Sequence, residues 1–296
     1  MAKLYVKCLF SALVVVAVSN AWAATPEENY IASRDRHIEA LKKLEKASDE
    51  VQTKAYENAI ADLDKQMQAI IGPFKMKGVP ETGKLSLGAL SDGDQGYGML
   101  DGLSYFNEST GTNVLVTTPD LFKRWLVAEK PQNVSQTPEE AVKTEDFYTQ
   151  AISSDAAVLR YGDIPVSKPA NATSAYAMLV ATTQDAVPLV PDAMYITILQ
   201  DKRVVIINAN TDSNKNAIPV CEKIMKDFEK ARDAKAAARQ KSGKKQSEKE
   251  FDAENKAEEA TSLKFRQCYA DKLKDAAFLK PLQAQAQTII DSLPAN

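Results

Sequence analysis

The chain has 296 residues, of which 44% are hydrophobic and 26% charged, and its net charge is −3. That length supports a sizeable core, in one large domain or two smaller ones. The mild acidity argues against a nucleic-acid binder, which would be basic overall.

Residues 1–23 read as a cleavable secretion signal. Lys3 and Lys7 give a basic start, and Leu9 to Val18 form an apolar core. Ala21-Trp22-Ala23 supplies the small-x-small pattern of a signal-peptidase site. The competing reading is a retained membrane helix. A span needs roughly 20 apolar residues, about twice this run. The expected product is soluble, without a transmembrane anchor, and periplasmic or secreted. N-x-[ST] triplets at Asn107, Asn133 and Asn171 keep a eukaryotic secretory route open. Cleavage removes 23 of 296 residues, with two lysines and no acid, leaving 273 residues at −5. It also leaves two cysteines, Cys221 and Cys268. In an oxidising compartment an even pair reads as a disulfide, against the alternative of two buried thiols.

The mature chain divides into a helical segment (24–72), an α+β domain (73–215) and a C-terminal helical hairpin with a tail (216–296). Pro26 to Ile71 reads as helix. Pro26 suits a first turn, with Glu27 and Glu28 at the positive end of the dipole. Tyr56, Ile60, Leu63, Met67 and Ile70 form one apolar stripe. Ser48-Asp49 is placed to cap a second helix, so the segment is one helix or a pair. Gly72-Pro73 ends it.

Between Phe74 and about Asn214 the composition shifts to Gly, Pro, Thr and β-branched residues. Expected strands are Lys84–Leu90, Gly98–Tyr105, Asn113–Thr118, Ala156–Ile164, Ala175–Thr182, Tyr195–Leu199 and Arg203–Asn208. The last two make the best hairpin signal. They are apolar on both faces, as in the middle of a sheet covered on each side. Two short helices are expected, over Pro119–Glu129 and over Thr137–Ile152. The whole reads as α+β with a mixed or antiparallel sheet.

From Ala217 the chain is helical again. The midpoint of Cys221 and Cys268 falls between Lys244 and Lys245, beside Ser242-Gly243, the turn-like dipeptide of the segment. Folding there brings the cysteines together at the open end of a long hairpin. Phe228 then faces the region of Thr261, and Met225 that of Lys264 and Phe265. Alanines recur on both arms. Lys230 to Lys249 holds eight basic residues and two acids, and Glu250 to Glu259 five acids and one lysine. A basic arm thus lies beside an acidic one, with a basic tip at Arg239, Lys241, Lys244 and Lys245 as a candidate protein-contact site. The competing reading is a solvated hairpin that braces the domain, or a disordered stretch at Gln240–Glu248.

Catalytic signals are thin. The single histidine, His37, sits among Arg34, Asp35, Arg36 and Glu39 on a helix, as surface histidines do. No cysteine–histidine cluster has zinc spacing, and no phosphate-loop or dinucleotide glycine motif is present. No cofactor is expected. Asp92, Asp94 and Asp101 are a weak calcium candidate, lacking the terminal glutamate of an EF-hand loop. Asp-Gly is also ordinary turn chemistry. Tyr105, Phe122 and Trp125, with Met99, Leu103 and Phe106, are candidates for a ligand pocket or for plain core. The reading that follows is an exported, soluble, non-catalytic binding or adaptor protein. Alternatives are a small-molecule or lipid-binding α+β domain, and a hydrolase using carboxylates or a Ser-Lys pair. Oligomeric state is open.

Overall fold

The computed structural model describes residues 24–86, 100–129, 137–143, 147, 157–183, 190–243 and 245–293. The expected export signal, the strand ends at 87–90 and 98–99, most of the second short helix and the carboxylates Asp92 and Asp94 lie outside these residues.

Among the described residues, eight helices and a seven-stranded antiparallel sheet make an α+β fold. Two helices come first, α1 (Pro26–Lys42) and α2 (Asp49–Ile71). Thr25 caps α1 through a reciprocal bond with Glu28, and Ser48 stands at the N-cap position of α2 without a side-chain bond to it. The segment is therefore a pair. The buried line of α2 is Ala59, Leu63, Met67 and Ile71, while Tyr56 is 40% exposed. Of the apolar stripe read from sequence, Leu63 and Met67 are buried and Ile60 and Ile70 pack against the core, while Tyr56 at its end stays at the margin.

The strands are β1 (Lys84–Leu85), β2 (Leu103–Asn107), β3 (Thr112–Thr117), β4 (Ala157–Asp163), β5 (Ala172–Thr183), β6 (Ala193–Gln200) and β7 (Val204–Asn210). Their order is β1-β2-β3-β7-β6-β5-β4, so two meanders meet where β3 pairs with β7. The β6–β7 hairpin lies at the centre, and Ala193 to Leu199 are all buried. That burial follows from cover on both faces. Alternation sends Met194, Ile196, Ile198, Val205 and Ile207 to one face. Tyr195, Leu199, Val204 and Ile206 go to the other.

The second face is covered by α3 (Pro119–Glu129), with Val142 following the short α4 (Pro138–Ala141), and Phe147. Thr118 caps α3 by accepting the Leu121 N–H at 3.3 Å. The first face carries α1 and α2 together with the C-terminal helices. After the short α5 (Ser213–Asn216) come α6 (Pro219–Ser242), α7 (Glu248–Lys272) and α8 (Ala276–Asp291). The tail beyond the hairpin is thus a third long helix. It returns to the sheet through Leu282, Ala286 and Ile290, and Pro281 falls within its first two turns. Arg203, just before β7, ties the sheet to the end of α2. Its guanidinium donates to the carbonyls of Ile71 at 2.9 Å and Pro73 at 2.7 Å, satisfying acceptors that the end of α2 leaves free.

Among the described residues no helix is long and apolar enough to cross a membrane.

Candidate functional site: a stapled helical arm

The C-terminal hairpin has a base and an arm of different character. At the base, Cys221 and Cys268 form a disulfide with 5.7 Å between their Cα atoms. Next to it, Tyr161 of β4 packs edge-on against Phe265 and Tyr269 of α7, with centroids 6.1 and 5.2 Å apart. The Tyr269 hydroxyl accepts the Ile218 N–H at 3.3 Å, just ahead of the first turn of α6. Burial pushes the Tyr269 pKa up, so the hydroxyl keeps its proton. Leu273 closes the base over Gly162, where a Cβ would come within 2.5 Å of its Cδ1. Covalent bond, aromatic cluster and close backbone approach together fix the hairpin to the edge of the sheet.

Beyond the base the character reverses. From Lys226 to Lys264 no described residue is buried. On α6 that stretch runs 17 residues past Met225, or about 25 Å at 1.5 Å per residue. The arms meet over a seam that includes Phe228 and alanines (Ala231, Ala238, Ala253, Ala257), which leave a cleft of about 470 Å³ between them. Arg232 pairs with Glu258 at 3.6 Å and Arg239 with Glu254 at 3.5 Å across the seam. The turn forms where the sequence placed it. Gly243 takes φ 65°, a left-handed conformation that glycine adopts at little cost, and ends α6. Ser247 then starts α7 in a reciprocal cap with Glu250.

The expected basic tip is only partly assembled. Lys241 and Lys245 are exposed, while Lys244 lies outside the described residues. Arg239 turns inward to Glu254, its side chain 24% exposed, because the acid on the facing arm is nearer than solvent. It serves the seam.

The other candidates separate. Tyr105 is buried on the helical face beside Phe74, with ring centroids 5.0 Å apart. Phe122 and Trp125 are buried on the opposite face, where each ring lies 5.6 Å from Phe147. The sheet stands between them, so these three do not line one pocket. All three serve as core.

Asp101 is also spoken for. Its carboxylate accepts from the Tyr30 hydroxyl at 3.2 Å and pairs with Arg34 at 2.5 Å. Asp92 and Asp94, the other members of the calcium candidate, lie outside the described residues. Burial pushes the Asp101 carboxyl up, while Arg34 and Tyr30 pull against that shift. Burial likewise raises the Tyr30 pKa.

One turn further along α1, Ser33 and His37 both bond Asp62 Oδ2 on α2, at 3.2 and 2.8 Å, and Gln66 joins at 3.0 Å. His37 first, with Ser33 and Gln66, lowers the Asp62 pKa. Hydroxyl and imidazole meet the same carboxylate oxygen. The set therefore staples α1 to α2 and does not form the hydroxyl–imidazole contact that activates a nucleophile. Tyr30, Ser33, Arg34 and His37 follow i, i+3, i+4, i+7, a polar stripe at helical spacing that was visible in the sequence without its partners. Among the described residues no group of three or more His, Cys, Asp or Glu is arranged to hold a metal ion.

A second cleft, also about 470 Å³, lies where α1 and α2 join, with Ile38, Leu41, Leu44 and Tyr56 in its walls.

The chain matches no model of a known protein family and no curated protein.

Proposed function

We propose that this is an exported, non-catalytic binding or adaptor protein that contacts a protein partner through the α6–α7 arm. One observation carries the reading: 39 consecutive positions, Lys226 to Lys264, contribute no buried residue among those described, yet their base is fixed by a disulfide and an aromatic cluster. A helix pair that buries nothing gains little stability from its own packing. Its length and charge are then accounted for by contact with something else. Export supports the same reading, since the basic start, apolar core and Ala21-Trp22-Ala23 site would deliver the cysteines to an oxidising compartment.

The test is affinity capture from periplasmic extract with the full mature chain and with a variant in which a short Gly-Ser turn replaces residues 230–259. The variant keeps both cysteines and the aromatic base. Partner recovery that falls at least tenfold supports the arm, and equal recovery refutes it. Sequencing the N-terminus of protein from the periplasm is expected to begin at Ala24. Retention of residues 1–23 refutes the export signal.

The apolar cleft between α1 and α2 favours a second reading, a site for a small amphiphile. Stabilisation of the native chain by such a ligand, lost in Tyr56→Ala, would support it. A screen of short-chain amphiphiles that leaves the melting curve unmoved would end it.

A further inference from the structure

We draw no further inference here: the strongest candidate, the cleft of about 470 Å³ where α1 and α2 join, with Ile38, Leu41, Leu44 and Tyr56 in its walls, carries nothing past the second reading given above, because nothing in the structure shows what covers those apolar walls.

Discussion

Removing the disulfide tests how the base holds the arm. The bridge joins residues 47 apart, and the chain-entropy relation gives about 4 kcal/mol for closing a loop of that size in the unfolded chain. Cys221 is fully buried and Cys268 half-buried, so Cys221→Ala/Cys268→Ala removes the bridge without leaving a buried hydroxyl unpaired. For a domain of this size each kcal/mol corresponds to about 2–4 °C, so the melting temperature should fall by about 10 °C. Phe265, Tyr269 and Tyr161 keep their contacts, which predicts a folded variant with β6 and β7 still protected in hydrogen exchange. The amides of α6 and α7 between residues 226 and 264 should exchange faster, because nothing buried holds them once the base loosens. The assay is a thermal melt by circular dichroism, run beside wild type in reductant. Variant and reduced wild type should coincide. A shift below about 2 °C in both, with unchanged arm exchange, would show that the aromatic cluster alone fixes the base and would refute this account.

Arg34→Leu should cost about 3–5 kcal/mol in urea unfolding, because it strands the buried Asp101 carboxylate, and Arg34→Leu/Asp101→Leu should recover most of that loss. Gly102→Ala should destabilise by about 1–3 kcal/mol, since the added Cβ would stand 2.5 Å from the Val116 carbonyl oxygen, part of the β2–β3 backbone and unable to swing aside. The Asp62 pKa is lowered in the fold, so its contribution is present above the unfolded carboxylate range and is lost as pH falls through the folded value. Stability curves of wild type and Asp62→Asn should therefore converge below about pH 4, and curves that stay parallel to pH 2 would contradict the linkage.

The elements governed by local pattern were legible in the chain. Turn chemistry at Gly243, the helix start at Ser48 and the β-branched runs of β6 and β7 act over a few residues. Each expected strand corresponds to one in the sheet. Features that depend on distant partners were not legible. Asp101 reads as a turn acid beside Gly102, and its burial is set by Arg34, 67 residues away. Tyr105 and Trp125 are close in sequence and similar in chemistry, but Tyr105 lies on β2 facing one side of the sheet and Trp125 on α3, which covers the other. On α2 the buried Ala59 fell outside the stripe read from sequence, because alanine contributes little to a hydrophobic pattern. On the arm, the cysteine spacing located the hairpin, while the inward turn of Arg239 required knowing which acid it faces.

The position of the bridge at the root of the arm has a consequence for proteolysis. The turn around Gly243 is exposed and lysine-rich, the kind of loop tip that trypsin-like enzymes nick first. A cut there divides the polypeptide between Cys221 and Cys268, yet the two fragments stay covalently joined. The nicked protein would migrate as intact on a non-reducing gel and fall into two pieces only when thiol is added. Damage at the most accessible point of the arm therefore leaves the sheet and its last helix connected.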